Sequence, residues 1–169
     1  MSIQISWETS ISGAQTFHYV PLLDAELVMT TVHGVITDCS WQLPCQNQQS
    51  KKSALADQVQ LYLMDPERNQ LAVSLYRQGT VYSQKVWDIL LNIPFGQVMS
   101  YSALAQQIGS GPRAVAQACR TNPYAGIIPC HRVVAKSGVG GFMGQRQGPM
   151  VQLKRELLAY EYRAAMSAL

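Results

Sequence analysis

The residues best suited to chemistry in this sequence are a cysteine and the histidine that directly follows it, Cys130-His131. A thiolate is a strong nucleophile, and a nearby imidazole can act as the base that generates it. Adjacent residues on a regular helix do not face each other. The pair can therefore cooperate only if the backbone is irregular or a water passes the proton. The alternative is a buried cysteine beside an ordinary histidine.

A third candidate, Glu161, lies on a helix predicted from Pro149 to about Met166. At 100° per residue, Glu161 lies about 80° from Leu153, inside the apolar arc of that helix. A carboxylate on a buried face needs a partner, because an unpaired buried charge is costly. His131 would be such a partner, since a carboxylate orients and stabilises an imidazolium. Lys154, on nearly the same face, is the alternative.

The composition of the chain limits the kind of fold that can position these residues. Its 169 residues are 47% hydrophobic, enough for one domain or two small ones with real cores. We expect no membrane span and no secretion signal, because the sequence has neither the long apolar run nor the basic and apolar start. The cysteines are too few and scattered for a disulfide scaffold, so we expect reduced thiols in a cytoplasmic or nucleoid-associated protein.

The cysteines and histidines of the first half were also weighed as metal ligands. Cys39, Cys45, His18 and His33 are available, but their spacing matches no zinc pattern. We therefore expect no metal ligands and no cofactor.

Charge is distributed unevenly along the chain. Residues 1–80 carry four basic and seven acidic side chains, whereas residues 81–169 carry nine basic and three acidic ones. The two parts have balances of −3 and +6, which give the overall charge of +3. This asymmetry indicates that the second half meets a polyanion, with a chance distribution as the alternative.

Apolar and polar residues alternate along most of the first half, as they do in β-strands, and one helix is also predicted there. A boundary near residues 77–81 predicts two domains, 1–79 and 80–169. Asp65-Pro66 is expected to end the helix, and His33-Gly34 is a plausible hairpin turn. The predicted elements are strands at 17–22, 26–32, 34–41 and 71–75, a polar loop at 46–53 and a helix at 54–64.

The second half is predicted to be mainly helical. Ser100 is expected to cap a short helix whose buried pair is Leu104 and Ile108, and Pro112 suits the first turn of the next helix. Two short helices across a glycine-containing turn make a helix-turn-helix. The predicted elements are helices at 85–92, 101–108, 112–120 and 149–166, with a glycine-rich loop at 138–144.

An ordered set of strings in residues 80–162 resembles the O6-alkylguanine-DNA alkyltransferase family. The most specific of them contains the candidate nucleophile. The matching strings are Val86-Trp87, Ile93-Pro94-Phe95-Gly96-Gln97-Val98, Ser100-Tyr101, Pro112-Arg113-Ala114-Val115, Asn122-Pro123, Ile127-Ile128-Pro129-Cys130-His131-Arg132-Val133-Val134 and Leu157-Leu158-Ala159-Tyr160-Glu161.

The resemblance implies an α/β protein, with a ribonuclease-H-like α/β scaffold followed by a mainly helical, winged helix-turn-helix-like domain. It implies single-turnover repair, in which the alkyl group of O6-methylguanine moves to Cys130. O4-methylthymine is a second candidate substrate. His131 would deprotonate Cys130 through a water and Glu161 would support His131. The expected partner is double-stranded DNA, bound through its minor groove by a monomer.

The resemblance also assigns roles to residues around the nucleophile. Asn122 would brace the turn before Cys130, and Tyr101 would help to swing the nucleotide out and donate a proton. Arg113 would enter the base stack in place of the extruded guanine. The small side chains of the second helix would allow close approach to DNA. The residues expected at the DNA surface or around the base pocket are Arg113, Tyr101, Ala114, Ala116, Ala118, Gln117, Val133, Ala125, Phe142, Met143 and Gly144.

Four positions differ from the residues that are usual in the family or in some of its members. Ala116 and the larger Gln117 follow a string after which glycine is usual, and Phe142 replaces a usual tyrosine. Ala125 stands where some relatives carry a proline that would wall the alkyl site, so we predict a preference for methyl over benzyl groups. Two other functions were weighed from the residues, a DNA-binding regulator without repair activity and a Cys-His hydrolase.

Overall fold

The computed structural model describes residues 2–45 and 53–169. Contacts within the chain divide it into two compact units, Met1–Gln78 and Gly79–Leu169. The polar loop predicted at 46–53 lies outside the described residues except for its last position. No helix in the described ranges is long and apolar enough to cross a membrane.

The N-terminal unit is a five-stranded mixed sheet with one helix. Strands β2, β3 and β4 are joined by antiparallel pairing, and β5 pairs in parallel with both β4 and β1, which gives the order β1-β5-β4-β3-β2. The elements are β1 (Ile3–Glu8), β2 (Gln15–Leu22), β3 (Ala25–Val32), β4 (Val35–Gln42), α1 (Ala54–Met64) and β5 (Leu71–Tyr76).

Local signals account for most of these boundaries. His33 and Gly34 connect β3 to β4 and have positive φ angles of 50° and 79°, the backbone that a two-residue hairpin turn requires. Ser53 accepts a hydrogen bond from the Ala56 amide and caps α1. Strand β1 was not predicted, and its partner β5 is the last strand of the unit.

The C-terminal unit is mainly helical. Helices α3 and α4 form the predicted helix-turn-helix, and α5 is the long helix expected near the C-terminus. The elements are α2 (Val81–Leu90), β6 (Met99–Ser100), α3 (Tyr101–Ile108), α4 (Pro112–Arg120), β7 (Val133–Val134) and α5 (Pro149–Ser167). The sheet and helix of the first unit and the helices of the second confirm the expected α/β class.

Two sequence predictions in this unit need correction. Helix α2 begins at Val81 and not at Lys85, because Thr80 caps it by accepting a hydrogen bond from the Ser83 amide. It ends at Leu90, before the predicted Asn92. In α3 the fully buried residues are Leu104 and Ala105, whereas Ile108 is only half-buried.

The helix-turn-helix is fixed to the rest of the unit by apolar contacts and one buried hydrogen bond. Helix α4 packs against both α2 and α3. The Trp87 indole donates to the Ala118 carbonyl over 2.8 Å inside this interface. The C-terminus of α3 turns through Gly109 in the left-handed conformation, and Pro112 begins α4. The exposed face of α4 is thereby held in a fixed orientation beside the Cys130 segment.

Candidate active site

The backbone at Cys130 is irregular, as cooperation between adjacent residues requires. Cys130–Arg132 forms a single 3₁₀ turn after Pro129, and the Arg132 amide donates to the Pro129 carbonyl over 3.1 Å. The Cys130 and His131 residues are 7% and 2% exposed. The nucleophile and the imidazole are therefore both removed from bulk solvent.

His131 is paired with the carboxylate of Glu161 from α5. The distance from His131 Nε2 to Glu161 Oε1 is 2.6 Å, and Glu161 is 5% exposed. Of the two partners considered for Glu161 from the sequence, the structure thus shows His131 and not Lys154. A carboxylate on Nε2 places the ring proton there and leaves Nδ1 as a proton acceptor.

Arg132 is a second partner of Glu161, which the sequence did not reveal. Its guanidinium contacts both carboxylate oxygens, at 2.8 and 3.1 Å, and also donates to the Ile93 carbonyl over 2.8 Å. Burial alone would raise the pKa of Glu161, but the charges and hydrogen bonds of His131 and Arg132 outweigh it and lower that pKa to about 2. Glu161 is therefore a fixed anion at every physiological pH.

His131 Nδ1 is buried and has no hydrogen-bond partner among the residues that the structure describes. The other ring nitrogen is occupied by Glu161, so Nδ1 is the atom that can take up a proton. A residue poised in this way acts as a general base when a thiol proton reaches it directly or through one water.

The Cys130 thiol does not ionise by itself. Burial raises its pKa. This increase is offset only in part by the Asn122 amide, the Lys154 charge and the backbone amides of Cys130 and His131, each of which lowers the pKa. These groups favour the thiolate once it forms, because each directs a positive charge or an N–H dipole at the sulfur. The site is arranged for a thiol that must be deprotonated by a base.

Asn122 holds the segment that leads to Cys130. Its side-chain nitrogen donates to the Ile128 carbonyl and its oxygen accepts from the Tyr124 amide, each over 2.9 Å. The residue is 9% exposed. One buried amide thus bridges the two ends of the turn that precedes Pro129-Cys130.

Lys154 is a buried cation that the sequence analysis treated only as an alternative partner of Glu161. Its residue is fully buried, and Nζ donates to the Val133 carbonyl over 2.6 Å and to the Gly141 carbonyl over 3.0 Å. Burial lowers its pKa to about 8. Its position on the apolar arc of α5 was the available signal for burial. Lys154 joins β7 to the glycine-rich loop beside the active site.

A cavity of about 380 Å³ opens beside Cys130. This volume is within the range of pockets that enclose a small ligand. The lining residues that the sequence analysis named for the site are Tyr101, Arg113, Ala116, Gln117, Asn122, Cys130, Phe142, Met143 and Gly144. Gly141 also lines the cavity, as part of the loop 138–144 that was expected to wall the base pocket, and the lining residues not assigned to the site are Cys119, Arg120, Gln145 and Arg146.

Tyr101 lies at the start of α3 and closes one side of this cavity. Burial raises the pKa of its hydroxyl, and the nearby Cys119 and Cys130 thiolates would raise it further, so the phenol remains a proton donor. A Cβ on Gly140 would lie 3.1 Å from the Tyr101 ring, and Gly140 has a φ of 75°. Because Gly140 has no side chain, the glycine-rich loop can lie close to the Tyr101 ring.

Ala125 and Val133 were expected to border the alkyl site, but neither lines the cavity. Ala125 is fully buried in a bridge to Ile128, and Val133 is fully buried in β7, where its carbonyl accepts from Lys154. The preference for methyl over benzyl groups that was predicted from Ala125 stays a prediction, without support from the cavity lining.

The alanines of α4 differ in exposure. Ala114 is exposed and Ala116 is half-buried, whereas Ala118 is buried at 2% exposure. Ala118 was expected at the DNA surface with the other two, and it packs inward instead because its turn of the helix contacts Trp87. Arg113 and Gln117 are exposed on the same helix and line the mouth of the cavity.

The structure shows the surroundings of two of the four residues that were weighed as zinc ligands. His18 hydrogen-bonds Ser53 and Thr31 through its two ring nitrogens, at 2.6 and 2.9 Å, and Cys39 is buried. Within residues 2–45 and 53–169, no group of three or more potential ligands could hold a metal ion.

Sequence comparison relates this chain to known methyltransferases. Residues 81–163 match the profile described as 6-O-methylguanine DNA methyltransferase, DNA binding domain. A methylated-DNA--protein-cysteine methyltransferase of Mycobacterium tuberculosis is 40% identical over 64% of this chain and 64% of its own length. A probable enzyme of that name from Acanthamoeba polyphaga mimivirus is 49% identical over 41% of this chain. The matches span 64% and 48% of these two relatives' own lengths.

Structural comparison extends the similarity over most of the chain. The O6-methylguanine methyltransferase of Mycobacterium tuberculosis superposes with a TM-score of 0.68 and 29% identity, covering 89% of this chain and 94% of its own. The OGT protein of the same organism in complex with DNA gives a TM-score of 0.64 and 30% identity, covering 88% and 93%. With the buried Cys130–His131–Glu161 arrangement beside a helix-turn-helix, these similarities show that the chain belongs to the O6-methylguanine DNA methyltransferase family.

Proposed function

We propose that this protein repairs DNA by transferring the methyl group of O6-methylguanine to its own Cys130. The observation that carries the proposal is the buried His131–Glu161 pair directly after Cys130, whose thiol lines a cavity beside an exposed helix-turn-helix. The related methyltransferases are named for this reaction, and one relative was crystallised with DNA.

The reaction begins with the loss of the thiol proton. The Cys130 proton passes through a water to His131 Nδ1, because adjacent residues on the 3₁₀ turn do not face each other directly. The resulting imidazolium is stabilised by Glu161, whose carboxylate remains charged because the pKa of that group is about 2. Asn122 and the backbone amides stabilise the thiolate.

Transfer is then a single displacement. The sulfur attacks the methyl carbon as the bond from that carbon to O6 breaks, and the electron pair of the broken bond stays on O6. The guanine anion is neutralised by a proton from the Tyr101 hydroxyl, which the imidazolium replenishes. The thioether on Cys130 is stable, so each molecule acts once.

The methylated base must leave the DNA stack to reach a buried sulfur, since O6 lies within the duplex. Extrusion costs a few kcal/mol, and the exposed Arg113 in the first turn of α4 fills the gap in this proposal. Ala114 and Ala116 present small side chains on the exposed face of α4, which suits close approach to a minor groove. The partner is double-stranded DNA and the protein acts as a monomer in the cytoplasm or on the nucleoid.

Intact-mass measurement after mixing with methylated duplex DNA tests this function. We expect a mass increase equivalent to one methyl replacing one hydrogen, at Cys130 and in a one-to-one ratio to lesion. Cys119→Ala is the matched control, since that thiol lines the same cavity but has its pKa raised to about 12, chiefly by burial. DNA binding without a mass change would favour a regulator, and repeated turnover on non-DNA substrates would favour a hydrolase.

A further inference from the structure

Three arginines line the cavity that contains Cys130, and the function proposed above uses only one of them. Arg113, Arg120 and Arg146 are all exposed and all lie on the cavity wall. None of the three forms an ion pair within residues 2–45 and 53–169, where the ion pairs involve other residues. Arg113 lies in the first turn of α4, Arg120 ends the same helix, and Arg146 lies in the connection before α5.

Arg120 lies against the loop that carries Arg146. A Cβ on Gly144 would lie 3.6 Å from Arg120 Nε and 4.0 Å from its Nη2, so the guanidinium lies beside the loop at Gly144. Arg146 follows Gly144 by two residues, a separation of at most about 7 Å between Cα atoms. Arg120 ends α4 and Arg146 belongs to the connection before α5, so the fold brings two cations from distant parts of the sequence to one edge of the cavity.

Two guanidinium groups beside each other without a carboxylate repel, and an anion between them would remove the repulsion. Guanidinium is also the group best suited to phosphate, because its planar N–H donors match two phosphate oxygens. A nucleotide that enters the cavity brings its own 5′ and 3′ phosphates to the mouth. The edge formed by Arg120 and Arg146 is where such a phosphate would meet two unpaired donors.

We propose that Arg120 and Arg146 form a phosphodiester site that holds the DNA strand next to the extruded nucleotide. The proposal rests on the proposed function and adds to it a site for the backbone, separate from the role of Arg113 in the base stack. The pair binds a phosphate in the extruded state and thereby lowers the free energy of that state. It takes no part in the reaction at sulfur.

Salt dependence of DNA binding measures the number of phosphates that the protein contacts. For Arg120→Ala and Arg146→Ala we expect the slope of log K against log salt concentration to fall by about 0.9 for a lost phosphate contact. Affinity for methylated duplex at low salt should fall about ten-fold, as for the loss of a charge-assisted hydrogen bond. Arg155→Ala is the matched control, because Arg155 is exposed in the same unit but does not line the cavity.

Duplexes that carry one neutral methylphosphonate linkage identify the phosphate. The linkage beside the lesion should weaken binding of the wild type, and it should have little further effect on Arg146→Ala or Arg120→Ala. A linkage several base pairs away should weaken all variants equally. The phosphate site would be wrong if the neutral linkage and the arginine substitution weakened binding additively at every position of the linkage. It would also be wrong if the salt slope were unchanged in both variants.

Free O6-methylguanine base separates this proposal from the proposed function. It has no phosphate, so both variants should slow the reaction with methylated duplex by a much larger factor than the reaction with the free base. If the two substrates are slowed by the same factor, Arg120 and Arg146 only shape the pocket and the phosphate site is wrong. If the wild type itself gains no methyl group from either substrate, the proposed function fails, whereas the salt slopes still decide whether the arginines bind phosphate.

Discussion

Replacing Glu161 with glutamine should weaken the C-terminal unit as well as slow transfer. The wild-type carboxylate has its pKa lowered from an ordinary 4.5 to about 2 by His131 and Arg132. By linkage, that difference corresponds to about 3 kcal/mol of stability at neutral pH. Glu161→Gln removes this contribution and leaves the Arg132 guanidinium with one neutral amide in place of a carboxylate. We expect the free energy of unfolding to fall by about 3 kcal/mol.

The pH dependence of this loss gives a sharper test than its size. A carboxyl group whose pKa is lowered on folding stabilises the protein above the unfolded pKa, and the stability is lost as pH falls toward the folded pKa. For Glu161 the window runs from about pH 4.5 down to about pH 2. The difference between wild type and variant should therefore shrink from about 3 to about 2 kcal/mol between pH 7 and pH 3.5.

Urea unfolding followed by Trp87 fluorescence measures the C-terminal unit. Trp7 and Trp41 belong to the other unit and are replaced by phenylalanine in all proteins compared. At a typical slope of about 1–3 kcal/mol per M urea, the midpoint should fall by about 1–3 M. Glu156→Gln, a neighbouring change on α5, should alter stability by less than about 0.5 kcal/mol. A Glu161→Gln loss that is the same at pH 7 and pH 3.5 would refute the assigned charge effect.

The same Glu161→Gln variant should transfer methyl groups at least about 100-fold more slowly, measured as single-turnover rates, because its amide cannot stabilise an imidazolium as a carboxylate does. Arg113→Ala should slow repair of duplex DNA but leave reaction with free O6-methylguanine unchanged, and equal slowing of both would make Arg113 structural. Lys154→Met should raise the pKa of Cys130 and move the rising limb of the pH–rate profile upward, because that cation favours the thiolate; an unmoved limb would contradict this. Gly96→Ala should cost at least about 2 kcal/mol by urea unfolding, since Gly96 has a φ of 79° and the new Cβ would lie 2.6 Å from that of Ala165; wild-type stability would contradict it.

Local sequence signals were sufficient to predict the helix-turn-helix and the buried position of Glu161 in the site. Ser100 as a cap, the glycines after Ile108 and Pro112 at the next helix start gave α3 and α4 their observed bounds. Helical periodicity placed Glu161 on the buried face of α5, where it meets His131. These features depend on residues close in sequence, so a single chain contains the information for them.

Features that depend on distant partners could not be obtained in this way. The parallel pairing of β1 with β5 joins the two ends of a unit, and the ion pair of Arg132 with Glu161 joins two segments far apart in sequence. Lys154 is of a residue type that is rarely buried, and its partners, the carbonyls of Val133 and Gly141 and the Tyr101 ring, come from other segments of the chain. Ala125 is near the active site in sequence, but it is buried and is not among the residues that line the cavity.

The cavity contains two thiols, and their surroundings decide which of them can react. Burial raises the pKa of both Cys119 and Cys130, so exposure does not distinguish them. Only Cys130 is followed by a histidine with a free Nδ1, and only Cys130 has the Asn122 amide and two backbone N–H groups directed at its sulfur. A thiolate generated there is stabilised where it forms, whereas one at Cys119 would face a pKa of about 12 without an adjacent base. The buried, protonated resting thiol also limits reaction with other electrophiles, so that the sulfur is activated by His131 within a cavity that an extruded base can fill.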